Sequence, residues 1–259
     1  RQGIIQAHSG SLTLKTDAIN NSGGIINLKG RGVLSLNGRI DNSEGYINAS
    51  TLSVSGQQFD NTRGELTADR LALSNGLLDN YGGLIYARAI DLNTHDFNNE
   101  TGKLIADELL SLQLSTLNNQ QGVVHTGGID FNLQAESINN REGTLSHGGD
   151  GQFILSASRI ENLQGKITGD GSLQISADEL INNSGVVSAR NSLTLSGNHL
   201  DNSSGKILAG GYVNFDIDTL NNHEGYVQGG GLTLSLDSLN NKAGALIVSG
   251  GGELSLVLA

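Results

Sequence analysis

The chain has 259 residues, 36% of them hydrophobic, 4% aromatic and 16% charged, with 37 glycines and no Pro, Cys, Met or Trp. Without cysteine, disulfides and thiolate chemistry are excluded, and a formal charge of −11 with scattered Lys and Arg argues against nucleic acid as a partner. No apolar stretch approaches the ~20 residues of a membrane-spanning helix, so no membrane insertion is expected.

The chain opens on Arg1-Gln2-Gly3 with neither an initiator Met nor an apolar leader, and reads as a fragment of something longer. Gly3-Ile4-Ile5 is the tail of a repeat whose first complete box begins at Ile19-Asn20-Asn21. The box runs apolar anchor, Asn or Asp, Asn, two variable residues, Gly, one variable residue, aliphatic. It recurs with anchors at Ile40, Phe59, Leu78, Phe97, Leu117, Ile138, Ile160, Leu180, Leu200, Leu220 and Leu239. The second box position is always asparagine: Asn21, Asn42, Asn61, Asn80, Asn99, Asn119, Asn140, Asn162, Asn182, Asn202, Asn222 and Asn241. The first is Asn or Asp except at Glu161 and Ile181. The box glycines are Gly24, Gly45, Gly64, Gly83, Gly102, Gly122, Gly143, Gly165, Gly185, Gly205, Gly225 and Gly244, 19 to 22 residues apart.

Before each anchor lie two apolar residues one apart, as in Leu52/Val54, Leu71/Leu73, Phe131/Leu133 and Val213/Phe215. After each box glycine comes a second alternation, as in Leu66/Ala68, Ile85/Ala87 and Ile207/Ala209. Period-2 alternation is the mark of a strand with one face buried. Each copy therefore offers two or three strands of three to five residues, and Gly and Asn interrupt every candidate helix. Strands this short, recurring every ~20 residues, pair copy to copy if each copy is one turn of a coil. The expected fold is all-β: a parallel β-helix of about 13 coils of about 20 residues, forming a single elongated domain over 1–259 on the order of 60 Å long.

An asparagine in every copy calls for a structural cause. At a corner, each amide can donate to the amide one turn on, giving a buried polar group its partner in its own copy. Asparagine also tolerates positive φ, which a corner needs, and the glycines are expected to supply a corner conformation closed to other residues. Length variation gathers between the box glycine and the next paired strand, from seven residues (Gly45 to Leu52) to ten (Gly143 to Phe153). Solenoids place binding loops on such corners. The longest, with Ser146, His147, Asp150 and Gln152, is the candidate partner loop.

Catalytic and metal chemistry find little support. The six histidines lack the close spacing of a zinc pair. Gly148-Gly149-Asp150-Gly151 and Gly169-Asp170-Gly171 lack the nine-residue period of calcium-binding repeats. A β-helix polysaccharide lyase would need carboxylates and a base on one face with aromatic rings for sugars, whereas the carboxylates are dispersed. No cofactor, metal or catalytic residue is expected.

Copies such as Leu200-Asp201-Asn202-Ser203-Ser204-Gly205-Lys206-Ile207-Leu208-Ala209 resemble the repeats of filamentous haemagglutinin and related two-partner-secretion exoproteins, among them contact-dependent growth inhibition effectors. The resemblance covers essentially 1–259. It implies a right-handed, roughly triangular coil in a surface filament of a Gram-negative bacterium, exported unfolded through an outer-membrane two-partner-secretion transporter. The expected function is a rigid extracellular stalk presenting a binding or toxic module. The alternative is a segment that itself adheres to a host cell, a bacterial receptor or a glycan. Bare strand edges at the ends would favour end-to-end self-association.

Overall fold

In a computed structural model, which describes residues 3–259, the apolar positions that recur along the sequence become rows of parallel register. The described residues form strands and turns, with no helix. Within each unit, coils of about 20 residues pair in parallel with the next, and the chain is a parallel β-solenoid of about 13 turns. Two units are distinguished, 1–128 and 129–259.

In the first unit one inward row is Ile26, Ile47, Leu66, Ile85, Leu104 and Val124. A second is Leu34, Leu52, Leu71, Ile90 and Leu110, and the anchors Ile40, Phe59, Leu78, Phe97 and Leu117 make a third. All of these side chains are buried. In the second unit the same rows are Leu145, Ile167, Val187, Ile207 and Val227; Phe131, Phe153, Leu173, Leu193, Val213 and Leu232; and Ile138, Ile160, Leu180, Leu200 and Leu220. Because strand side chains alternate faces, a slip of one residue would turn a whole row outward, so the rows fix the register.

The strands are longer than the sequence pattern implies. In the first unit Tyr46–Asp60, Glu65–Asp79 and Leu84–Asn98 each run 15 residues without a break. These belong to 19-residue coils, where a single residue, Ser50, Asp69 or Arg88, separates the two faces at the corner. With one residue to spare, the chain bends without leaving the ladder. In the second unit the coils are mostly longer. Three residues, 190–192, intervene between Val186–Ala189 and Leu193–Asp201, and the strand breaks there.

One inward position departs from the apolar rule. The third inward site of the paired strand holds Gly56, Asn75 and Thr94 in the first unit but Ala177, Ile217 and Leu236 in the second. Thr94 Oγ1 reaches the carbonyl oxygens of Gly76 and Asp96, both at 3.2 Å. Neither amide atom of the buried Asn75 has a hydrogen-bond partner in the protein, a debt of about 1–3 kcal/mol for an orphaned buried group.

Candidate functional site

The box is a tight turn closed by its own glycine: Gly45 N–H donates to Asn42 O at 2.9 Å, and Gly64 N–H to Asn61 O at 2.8 Å. The residue just before the box glycine takes the left-handed conformation in all twelve boxes, at φ between 52° and 60°. That residue is Gly at Gly23 and Gly82 and otherwise Glu, Gln, Ser, Ala, Arg63 or Thr101. The invariant asparagine and the box glycine lie outside the positive-φ region. This corrects the expectation that they supply the special backbone of the corner. Nothing in the residue types marks the position before the box glycine, because the turn imposes its φ whatever the side chain.

The asparagines point inward. Asn42 Nδ2 donates to Asn61 Oδ1 at 2.7 Å and reaches the carbonyl oxygens of Gly45 and Glu65 at 3.3 and 3.4 Å, while its Oδ1 accepts from Asn21 Nδ2 at 2.7 Å. In the first unit the chain of amides runs Asn21, Asn42, Asn61, Asn80, Asn99, Asn119 with steps of 2.7 to 2.8 Å. In the second it runs Asn140, Asn162, Asn182, Asn202, Asn222, Asn241, each step 2.7 Å. From Asn42 to Asn222 these residues are fully buried. The row satisfies polar groups that would otherwise be costly to bury.

The box glycines exist to make room for that row. A Cβ on Gly45 would sit 2.6 Å from Asn42 Oδ1, 3.0 Å from Asn21 Nδ2 and closer still to Asn21 O; Gly64 and Gly83 meet the same atoms of their own neighbours. Asparagine and glycine are thus one device.

The first box position does a different job. Its side-chain oxygen accepts the N–H two residues on, as Asp41 does from Ser43 at 2.9 Å and Asp60 from Thr62 at 2.9 Å. The same bond is made at Asn20, Asp79, Asn98, Asn118, Asn139, Asp201, Asn221 and Asn240. Such Asx turns are what Asn and Asp do at chain reversals. The two exceptions, Glu161 and Ile181, make no such bond, and Glu161 pairs instead with Arg159 at 2.9 Å.

The candidate partner loop is only partly a surface. Asp150 and Gln152 are exposed and Ser146 is half-buried, with Gln152 N–H donating to Asp130 Oδ1 at 2.7 Å. His147 is 2% exposed. Its ring packs against Phe153 and Phe131, at centroid distances of 6.0 and 6.4 Å, and those two rings stack at 4.8 Å. It therefore leaves the candidate partner loop. It occupies the inward site that holds Ala68, Ala87 and Ala106 elsewhere, and the next coil has Gly169 opposite it. Among the described residues no three His, Cys, Asp or Glu side chains are grouped to hold a metal ion.

The family model described as haemagglutinin repeat matches the chain over residues 2–80, 45–94, 86–150, 128–162, 168–222 and 208–256. The chain belongs to the haemagglutinin-repeat family. Neither the curated proteins nor the solved structures give a match. Haemagglutinin repeats are structural rather than enzymatic and typical of secreted bacterial proteins. In this chain the box that defines the repeat is an instrument of stacking.

Proposed function

We propose that these haemagglutinin repeats form a stiff extracellular stalk segment of a Gram-negative two-partner-secretion exoprotein. The stalk spaces a binding or toxin module from the cell that displays it. The observation that carries this reading is the amide row. Within each unit, successive boxes are tied by the same side-chain bond in addition to the backbone ladder, so each unit resists shear between its coils at a fixed interior line. The absence of cysteine suits export of an unfolded chain through an outer-membrane transporter, since no disulfide can form before passage. Adhesins and contact-dependent inhibition effectors are served equally by such a spacer.

The test replaces residues 3–259 in the secreted protein with a flexible Gly/Ser linker of equal length, whose mean end-to-end distance grows only as the square root of its length. Secretion and the module's own folding should survive while contact-dependent activity falls. Full activity of the linker variant would refute a spacing role.

A further inference from the structure

Two kinds of buried asparagine occur in the first unit. Six stand in the amide row, each bonded to its neighbour one coil away. Asn75 does not. It occupies the inward site that follows Leu71 and Leu73 and is only 8% exposed, yet neither its amide nitrogen nor its amide oxygen meets a hydrogen-bonding group of the protein. Buried polar side chains are nearly always paired, so this amide calls for a partner from outside the chain.

The coils on either side leave that place open to a small polar guest. The two coils before Asn75 have glycine at the same point, Gly38 two residues after Leu36 and Gly56 two after Val54, and Gly56 is its register partner. A Cβ on Gly56 would collide with Gly38 O, and one on Gly38 with Thr16 O, so neither corner can carry a side chain. On the other side the register partner is Thr94. Its hydroxyl has one proton and two carbonyl oxygens within reach, Gly76 O and Asp96 O at 3.2 Å, and its oxygen can still accept. The second unit fills its version of this site with the larger, apolar Ile217 and Leu236.

We propose that Asn75 binds internal water, so that the apolar core of the first unit carries one hydrated corner at the level of Gly56, Asn75 and Thr94. The amide offers two donors and an acceptor, and water both accepts and donates. A cation would meet only Oδ1 and an anion only Nδ2. Among the described residues of the first unit no ionisable side chain is buried to balance either charge, and an unbalanced charge is far costlier to bury than a neutral guest. Internal waters make about three hydrogen bonds to buried polar groups; Asn75 supplies a donor or an acceptor, and Thr94 Oγ1 a further acceptor one coil on. The proposal goes beyond the stalk reading and does not depend on it.

The test is NMR of the 259-residue chain in water. Nuclear Overhauser cross-peaks between water and the Asn75 Nδ2 protons should appear with the sign that marks a long-lived contact. The Nδ2 protons of Asn61 and Asn80, which donate along the amide row, should show none. Magnetic relaxation dispersion of the water oxygen should then count at least one long-lived water fewer in Asn75→Leu, which installs the side chain that the second unit has at Leu236. Asn75 protons silent toward water, or the same water count in the folded variant, would overturn the assignment. Should Asn75→Leu fail to fold, the cross-peaks of the parent chain decide alone.

Discussion

Asn61 Nδ2 lies 2.7 Å from Asn80 Oδ1, nineteen residues along the chain and one coil on. Asn80 in turn donates to Asn99 at 2.7 Å. A residue in the middle of this row is both donor and acceptor, so its removal orphans a group on each side. Asn80→Leu should destabilise the chain by about 1–3 kcal/mol, read as a lower urea midpoint with the slope unchanged. An unaltered midpoint would mean that the row is incidental to stability.

The roles of the two adjacent glycines 82 and 83 can be separated. Gly82 has φ of 60° with no atom nearer its Cβ site than 3.5 Å, whereas at Gly83 a Cβ would lie 2.6 Å from Asn80 Oδ1. Gly82→Ala therefore suffers only left-handed strain, about 1–2 kcal/mol. Gly83→Ala should be clearly worse, because its Cβ would meet the Asn61 backbone carbonyl closer still, as well as the amide row. Thr101 is β-branched at φ 55°, and Thr101→Gly should raise stability, up to about 1 kcal/mol. Thermal melts of the three variants check the order.

The first box position offers a loss and a gain. Asp201 Oδ1 accepts from Ser203 N at 3.0 Å, Ser203 Oγ at 2.6 Å and Asn221 Nδ2 at 3.1 Å. Asp201→Ala should cost about 1 kcal/mol. Ile181→Asn installs the missing acceptor for the Asn183 N–H and should be neutral or stabilising by a few tenths of a kcal/mol. Denaturant titration of both variants measures the pair.

Asp96 gives a pH dependence of known sign. Thr116 Oγ1 donates to it at 2.6 Å, and this bond, with a smaller contribution from His95, holds its carboxyl below the usual range. A carboxyl depressed in the folded state adds stability above its unfolded pKa, and that stability is lost as pH falls through the folded value. In Thr116→Val the Asp96 midpoint should rise toward the ordinary carboxylate range, followed by carboxyl carbon shifts in an NMR titration. An unmoved midpoint would reassign the cause.

Much of this was legible in the sequence because a solenoid writes its contacts at a fixed interval. The anchor at Phe59 and the one at Leu78 occupy equivalent box positions, and they are register partners. The alternation at Leu71 and Leu73 marks the inward face in the same way. Strand length was not legible, since whether a corner breaks the ladder depends on one or two residues between faces. The left-handed residue was hidden because Gln121, Ser184 and Thr101 have no feature in common beyond their place in the turn. His147 carried a readable signal that its loop obscured: it stands four residues after Gly143, the offset that places Ala68 after Gly64 on the inward side.

If each copy is one closed turn, whole copies can be removed and parts of copies cannot. Deleting Glu65–Gly83, one full coil, brings Asn61 and its glycine directly beneath the coil of Asn99 and restores every row. Deleting Glu65–Ser74, half a coil, sets every later row against the wrong face. Circular dichroism and urea unfolding should show the full-coil variant as a cooperative β protein slightly less stable than the parent, and the half-coil variant without a cooperative transition over the first unit. Equal behaviour of the two deletions, whether both fold or both fail, would contradict stacking in coils of about 20 residues.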